Sequence, residues 1–357
     1  MMIENMLEAR KLPHLLMGRD GKMITDRAQW PARRQEIMDL LAGEVYGCTP
    51  PTPAEIHAAV EEEQRAFGGK AMQRRIRISF DTPGGVYSFP YTLLTPRDAQ
   101  KAPAFVSVNF KPDIPHAYLP AEEIIDRGFA LAALYYQDVT SDNAQMDGIA
   151  AMYLVDENCG WGKIGMWAFA ASRVMDDLQH RPEIDEKRVC ITGHSRLGKT
   201  ALWCGAQDER FSMVISNASG CSGAALARGN KGERVKNITD VFPFWFCGNY
   251  RKWADKEAEM PFDQHMLLAL TAPRKLYVSS ADEDAWADPE NEFLSCVAAG
   301  PAWKLLGGSG FITENEMPGT DMPLHQGDIG HHIRKGTHFY SRTDWGYQMA
   351  FREKHGV

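Results

Sequence analysis

A serine flanked by glycines stands at the junction of a predicted strand and a predicted helix. Residues 192–200 read Thr-Gly-His-Ser-Arg-Leu-Gly-Lys-Thr, so Gly193 and Gly198 surround Ser195 as G-x-S-x-x-G. This is a close variant of the G-x-S-x-G nucleophile elbow, in which small residues let the chain turn sharply and expose the serine hydroxyl. The following helix points free N–H groups and its positive dipole end at that hydroxyl. The spacing predicts Ser195 as a nucleophile and the backbone N–H of Arg196 as an oxyanion donor.

An elbow serine needs an acid and a histidine later in the chain, in the order Ser, Asp or Glu, His. The loop after the predicted strand 275–280 supplies four acids, which remain alternatives: Asp282, Glu283, Asp284 and Asp288. The segment 330–339 supplies three histidines: His331, His332 and His338. The first two begin a predicted strand that ends near Arg334, whereas His338 lies in the loop before a predicted last helix. We therefore expect His338 to be the general base.

The elements around these residues predict the fold class. From residue 101 onward short apolar strands alternate with helices, which is typical of a mostly parallel sheet with helices on both faces. The predicted strands are 104–110, 130–136, 188–192, 213–217 and 275–280, and the predicted helices are 121–127, 164–180, 291–306, 344–354 and one that begins near Arg196. Two earlier β segments, 71–80 and 86–95, flank a Pro-Gly-Gly turn and predict an antiparallel hairpin.

The expected architecture is a three-layer α/β-hydrolase with a mixed central sheet. Residues 1–50 are expected to form an N-terminal helical extension, because apolar residues recur at helical spacing around 33–42. Residues 51–357 are expected to form a single catalytic domain, since no repeat or flexible linker divides them.

The composition argues against a disordered, a collagen-like or a coiled-coil protein. The chain has 357 residues, of which 44% are hydrophobic and 24% are charged, close to the values of an ordinary globular protein. Its net charge of −8 gives no general attraction to nucleic acid or to an anionic membrane, so neither is an expected partner. The C-terminal histidines lack a matching cluster of ligands elsewhere, and we expect neither a metal nor a cofactor.

The cysteines and the first residues bear on the compartment. The chain has seven cysteines, an odd number, and no two of them are spaced as C-x-x-C. The N-terminus carries early acidic residues and no continuous apolar core with a cleavage site, so it does not resemble a signal peptide. We expect a cytoplasmic location, with secretion or the periplasm as the alternative if a native signal segment has been removed.

Five blocks occur in an order that points to a known family. They are residues 192–203, Asn-Ala-Ser-Gly-Cys-Ser-Gly-Ala-Ala-Leu at 217–226, Phe-Pro-Phe-Trp-Phe at 242–246, Met-Pro-Phe-Asp-Gln-His at 260–265 and Glu-Asp-Ala-Trp-Ala-Asp-Pro at 283–289. Together they resemble the bacterial glucuronoyl esterases, carbohydrate esterase family 15, and the likeness covers most of the chain. The resemblance implies an α/β-hydrolase that uses a serine to cleave the ester between (4-O-methyl-)glucuronic acid on xylan and lignin alcohols.

The resemblance also implies the catalytic residues. It makes Ser195 the nucleophile and His338 the general base. Among the four alternative acids it selects Asp284 as the residue that orients the histidine. Arg196 is implied to help form the oxyanion hole through its side chain as well as its backbone. The family pattern is broken at Ala218, where many relatives carry a glutamate, so the acid function falls on Asp284.

Three substrate-binding residues are implied in the same way. Lys199, one helical turn after the nucleophile, matches the position that hydrogen-bonds the sugar hydroxyls. Glu233 and Trp286 match positions that contact the uronate ring. These residue types suit the task, because a lysine and a carboxylate bind neighbouring hydroxyls and a tryptophan face suits the C–H side of a sugar.

The predicted function is therefore serine-dependent hydrolysis of glucuronoyl esters, with a glucuronate-ester carbohydrate as the partner. One alternative is an acetyl-xylan or other carbohydrate acetyl esterase, which would use the same machinery on a small acyl group. A second is a catalytically silent carbohydrate-binding relative, which the alanine at position 218 suggests. The oligomeric state is not predicted.

Overall fold

A nine-stranded mixed sheet forms the centre of the computed structural model, which describes residues 2–153 and 160–357. Its strands are β1 (His57–Ala66), β2 (Ala71–Thr82), β3 (Gly85–Pro96), β4 (Ala102–Asn109), β5 (Ala130–Tyr135), β6 (Ile184–His194), β7 (Met213–Asn217), β8 (Lys275–Ala281) and β9 (Ile329–Arg334). In space they follow the order β1-β2-β3-β5-β4-β6-β7-β8-β9.

The sheet is antiparallel at one side and parallel through the rest. The pairs β1/β2, β2/β3 and β3/β5 are antiparallel, and every later neighbouring pair is parallel. This confirms the predicted hairpin and the mixed α/β-hydrolase sheet. Because parallel strands point the same way, the loops that follow β6, β7, β8 and β9 meet at one edge of the sheet, where ligands bind in such folds.

Helices cover both faces of the sheet, as expected from the alternating pattern. They are α1 (Ile3–Arg10), α2 (Trp30–Leu41), α3 (Ala121–Asp126), α4 (Lys163–Leu178), α5 (Arg196–Gln207), α6 (Val235–Val241), α7 (Gln264–Ala269), α8 (Pro289–Leu305) and α9 (Arg342–His355). A large apolar cluster contains residues of α2, α4, α5, α7 and α8. A smaller cluster on the opposite face contains residues of α3 and α9. The two clusters are the two interfaces of a three-layer sandwich.

The strand β1 has no counterpart among the predicted strands. Its sequence, His-Ala-Ala-Val-Glu-Glu-Glu-Gln-Arg-Ala, lacks alternating apolar residues, and nine of its ten residues are exposed. It is an edge strand that pairs with β2 alone, through its backbone and ion pairs such as Arg74 with Glu63. A strand without a buried face leaves no period-two signal, which explains why the pattern missed it.

The N-terminal segment packs into the main core. Ile3, Ile37 and Tyr46 belong to the same apolar cluster as the helices behind the sheet. Tyr46 Oη donates a hydrogen bond to the carbonyl oxygen of Ser222, at 2.7 Å. From α1, Arg10 pairs with Glu290 at 2.8 Å near the start of α8. The first fifty residues therefore brace the loops that follow the parallel strands.

The described cysteines are of two kinds. Five are free and buried: Cys190, Cys204, Cys221, Cys247 and Cys296. Cys48 is disulfide-bonded, and Cys159 lies outside the described residues. Among the described helices, none is both long enough and apolar enough to cross a bilayer.

Candidate active site

Ser195 lies in the tight turn between the end of β6 and the start of α5. Its φ of 58° and ψ of −127° are strained for a residue that carries a side chain. The turn requires glycine at position 193, because a Cβ there would lie 2.1 Å from the carbonyl oxygen of Leu197. This is the geometry expected of a nucleophile elbow, and it places the serine at the wall of a cavity at the carboxyl edge of the sheet.

The backbone N–H of Arg196 is available beside the nucleophile. It is the first N–H of α5, so it has no carbonyl acceptor inside the helix. The hydrogen bonds of the described residues include none from this group. A free N–H next to the serine, at the positive end of a helix dipole, is suited to binding an oxyanion.

His338 and Asp284 form a close pair across two loops. Nδ1 of the histidine lies 2.6 Å from Oδ2 of the aspartate, whose side chain is 4% exposed. A carboxylate bonded at Nδ1 fixes the tautomer that leaves Nε2 free to accept a proton. No hydrogen bond within the described chain joins Ser195 Oγ to His338, and such bonds commonly tighten only when substrate binds.

The four acids that the sequence left as alternatives have different partners. Asp284 is the one that contacts His338. Asp282 accepts a hydrogen bond from a backbone N–H of the histidine loop, at 2.8 Å. Asp288 caps the N-terminus of α8, and Glu283 is exposed. In the loop after β8, Asp284 is thus the carboxylate that bonds to the histidine. Asp282 and Asp288 form bonds that stabilise the loop itself.

Arg334, the last residue of β9, holds the loop that carries His338. Its guanidinium donates to three carbonyl oxygens between residues 335 and 339. Its Nε also pairs with Asp344 Oδ2 at 2.7 Å. His338 therefore lies on a loop whose backbone is held in place by hydrogen bonds to the Arg334 side chain.

The other two candidate histidines are core residues. His332 Nε2 lies 2.9 Å from Asp344, and its Nδ1 lies 3.0 Å from Tyr277 Oη. His331 is buried between the rings of Phe293 and Phe311, and burial lowers its pKa to about 3. Both side chains are fully buried, and neither lines the cavity that contains Ser195.

A fourth histidine, His194, was not singled out from the sequence. It precedes the nucleophile directly, and its ring centroid lies 4.5 Å from that of His338. Nδ1 lies 2.6 Å from Asn217 Oδ1, and burial lowers the pKa of His194 to about 3. The His194 ring is therefore neutral where it packs against His338. It supports the His338 ring without repelling the positive charge that a protonated His338 would carry. The feature of the sequence that could have indicated His194 is its place directly before Ser195 in the Gly-His-Ser triplet.

The cavity beside Ser195 has a volume of about 320 Å³ and brings the three predicted sugar-binding residues together. Lys199 is buried, and its Nζ donates to the carbonyl oxygen of Ser219 at 2.7 Å. Burial lowers the pKa of Lys199, and the nearby Glu233 carboxylate opposes that shift. Trp286 is 58% exposed, so a broad aromatic face is presented at the rim.

The loops that carry Glu233 and Trp286 are tied to each other. The backbone N–H of Glu233 donates to the carbonyl oxygen of Trp286 at 2.9 Å. Two residues earlier, the N–H of Lys231 donates to Asp288 Oδ2 at 2.7 Å. Gly232 permits this close approach, because a Cβ there would lie 2.3 Å from the Trp286 carbonyl oxygen. The two sides of the cavity are thus held at a fixed separation.

Comparison with known proteins relates this site to one family. Residues 78–307 match the family described as glucuronyl esterase, fungi. A carbohydrate esterase named MZ0003, from an unknown prokaryotic organism, is 34% identical, and the match covers 96% of this chain and 89% of that protein. A glucuronoyl esterase structure from Solibacter usitatus has a TM-score of 0.89 at 36% identity, over 96% of this chain and 97% of that one.

The chain belongs to the glucuronoyl esterase family. It is accordingly a carboxylic-ester hydrolase, and the resemblance inferred from its sequence blocks is confirmed. A 4-O-methyl-glucuronoyl methylesterase from Podospora anserina is 28% identical, with 81% of this chain and 59% of the fungal protein covered.

Position 218 of this esterase holds no carboxylate. Ala218 lines the cavity with a φ of 44°, and its backbone N–H donates to the carbonyl oxygen of Ser279 at 2.7 Å. Behind it lies Glu292 of α8, a residue that the sequence pattern did not single out. Its Oε1 accepts from the N–H of Gly220 at 2.9 Å, and its Oε2 accepts from Ser280 Oγ at 2.5 Å.

Burial has the largest effect on the pKa of Glu292. The side chain is fully buried, and burial raises its pKa to about 8. The native protein therefore holds a proton on this carboxyl between about pH 4.5 and about pH 8, where the unfolded chain has lost it. The resulting stabilisation is complete below about pH 4.5 and is lost as the pH rises to about 8.

Glu292→Gln is expected to weaken that pH dependence. The amide mimics the protonated acid, because its oxygen keeps the bond from the Gly220 N–H. Its NH₂ donates to Ser280 Oγ as the protonated Oε2 does, which reverses the bond that the ionised Oε2 accepts from Ser280. Urea unfolding at about pH 5 and about pH 8.5 should show the wild type losing a few kcal/mol more of its unfolding free energy than the variant. Equal losses in the two proteins would mean that Glu292 is ionised in the native state.

Proposed function

We propose that this esterase hydrolyses (4-O-methyl-)glucuronoyl esters through a Ser195–His338–Asp284 triad. The observation that carries the proposal is the 2.6 Å pair of His338 and Asp284 at the same cavity as the strained Ser195. The methylesterase activity in the name of the Podospora relative supports the substrate class. The serine, acid and base come from the loops that follow β6, β8 and β9, in the chain order that such hydrolases require.

The first half of the reaction acylates the serine. His338 Nε2 takes the proton of Ser195 Oγ as the oxygen attacks the C6 carbonyl carbon of the uronate. The carbonyl oxygen becomes an oxyanion, which the backbone N–H and the side chain of Arg196 stabilise, with the loop near residues 109–110 on the other side. His338 then gives the proton to the departing alcohol oxygen.

The second half releases the uronate. Water enters where the alcohol was, and His338 Nε2 accepts one of its protons as the hydroxyl attacks the acyl carbon. Collapse of the second tetrahedral intermediate breaks the bond to Ser195 Oγ, which recovers its proton from the histidine. Asp284 remains ionised and stabilises the imidazolium in both halves.

Lys199, Glu233 and Trp286 hold the sugar in this scheme. Lys199 Nζ and the Glu233 carboxylate bind ring hydroxyls, and the exposed indole of Trp286 covers the apolar face of the ring. The ester group of the substrate is uncharged, so the protein's net charge of −8 does not repel it.

A panel of two substrates separates this proposal from acetyl esterase activity. The value of kcat/KM for benzyl glucuronate should exceed that for an acetylated xyloside by at least about 100-fold, because only the uronate uses the polar groups of the cavity. Lys199→Met should reduce this ratio by acting mainly on the uronate. A preference for the acetyl ester, unchanged in Lys199→Met, would overturn the assignment in favour of an acetyl esterase.

The bonding state of Cys48 bears on the compartment in which the enzyme works. Disulfides persist in oxidising environments and are rare in the cytosol. Since Cys48 is disulfide-bonded, we propose that the enzyme works outside the reducing cytoplasm, the alternative to the cytoplasmic location expected from the first residues.

A further inference from the structure

The side chain of Arg196 is clamped at the wall of the cavity. Its Cζ lies 4.6 Å from the ring centroid of Trp245 and 5.6 Å from those of Phe110 and Phe242. Nη1 pairs with the carboxylate of Asp142, and Nε is buried without a partner. No hydrogen bond in the described part of the chain uses Nη2. Arg196 lines the cavity at Ser195, so this nitrogen is available to an anion there.

Asp142 is held by two donors besides Arg196. Trp245 Nε1 donates to Oδ1 at 2.7 Å, and Tyr136 Oη donates to Oδ2 at 3.0 Å. The aspartate side chain is 10% exposed, so these bonds are largely shielded from water. A carboxylate with both oxygens occupied has one orientation, and the direction of its bond to the guanidinium is set accordingly.

Side chains of Lys163 and Asp147 hold the loop that carries Asp142. Lys163, at the start of α4, is buried, and its Nζ donates to the carbonyl oxygens of Ser141 and Gln145 at 2.5 and 2.7 Å. Asp147 Oδ1 accepts from the backbone N–H of Ser141 at 2.9 Å. These bonds close the loop on itself. Asp142 does not line the cavity that contains Ser195.

We propose that Asp142 is a positioning residue for the oxyanion hole. It holds the Arg196 guanidinium so that Nη2 is ready for the oxygen that becomes negative when Ser195 attacks. The inference rests on the proposed triad mechanism, in which that oxyanion forms. A long, flexible side chain is a poor donor unless it is ordered before the reaction, because preorganised donors need no reorganisation when the charge develops. Asp142 and the three aromatic rings supply that order.

The test is Asp142→Asn, which keeps the size and loses the charge. On benzyl glucuronate we expect kcat to fall by about 10- to 100-fold, with KM changed by less than about threefold, since the lost interaction belongs to the transition state. Arg196→Ala should cost about 100-fold or more. The double variant should be no slower than Arg196→Ala alone, because Asp142 acts through the arginine.

Asp176→Asn is the matched control. Asp176 pairs with Arg173 at 2.6 Å and is 15% exposed, so it resembles Asp142 in chemistry and burial. It lies on α4 and does not line the cavity at Ser195. We expect this variant to lose thermal stability to a similar degree and to keep the wild-type kcat. Tyr136→Phe is a milder second variant, which removes one bond to Asp142 and should lower kcat by a few fold.

Two results would overturn the positioning role. One is a wild-type kcat in folded Asp142→Asn and in Tyr136→Phe. The other is a loss of kcat on adding Asp142→Asn to Arg196→Ala that equals its loss in the wild-type background, which would make the effects independent. The rate of fluorophosphonate labelling of Ser195 gives a readout that needs no sugar substrate. If the wild type reacts with the probe but not with glucuronate esters, the substrate assignment fails while slower labelling of Asp142→Asn still supports the clamp.

Discussion

Ser195→Ala is expected to lower kcat for benzyl glucuronate by about 10⁴-fold or more while the protein stays folded. In the proposed mechanism the hydroxyl oxygen is the attacking atom, and a methyl group cannot replace it. The small remaining rate comes from the bound ester and the oxyanion donors acting on water. Release of benzyl alcohol, followed by chromatography, measures the loss directly.

Ser195→Gly serves as a matched control for folding. Both variants lack the nucleophile, but glycine adopts the φ of 58° without the strain imposed on alanine. Ser195→Gly should therefore be inactive and more stable than Ser195→Ala by about 1–3 kcal/mol. Wild-type turnover in Ser195→Ala would disprove the nucleophile assignment. A wild-type protein that neither turns over the ester nor reacts with a fluorophosphonate would instead be the silent carbohydrate-binding relative.

Asp284→Asn is expected to lower kcat by about 10⁴-fold with a smaller change in KM. The asparagine amide favours the wrong tautomer of His338 and no longer stabilises the imidazolium. The effect should be this large because position 218 offers no second carboxylate. Steady-state kinetics on benzyl glucuronate, with the fluorophosphonate labelling rate as a second readout, would measure it.

Glu283→Gln separates a specific effect from a general one. Glu283 is the neighbouring acid of the same loop and is exposed, so its variant should keep kcat within about threefold of the wild type. Similar losses in Asp284→Asn and Glu283→Gln would point to the charge of the loop rather than to a triad. A mild loss in Asp284→Asn alone would indicate that another carboxylate orients the histidine.

Local patterns predicted the parallel part of the sheet and the elbow well. The buried strands are short apolar runs, and a run such as Met213–Asn217 has the same bounds in the structure as in the prediction. The elbow is also local, because Gly193 and Ser195 belong to one turn. Edge strand β1 was missed for the opposite reason, since its ten residues bury no face of their own.

Residues that act through distant partners left no local signal. Glu292 reads as one acid among others in the first turn of α8, and its raised pKa arises from burial in the fold and its bonds to Gly220 and Ser280. Asp142 lies 54 positions from Arg196 in the chain. The contacts of Glu292 and Asp142 cannot be found from spacing alone, because the separation of two residues in sequence does not determine their separation in space.

By itself the sequence determined the α/β-hydrolase class, the tight strand-to-helix turn at Ser195 and the family, since all three depend on short motifs and on their order along the chain. The residues alone left four acids open, and the family pattern selected one of them. Only the tertiary structure decided that Asp284 and His338 are 2.6 Å apart and that Asp142 clamps Arg196. Those contacts join loops after different strands, and the sheet brings them together by aligning the carboxyl ends of those strands at one edge.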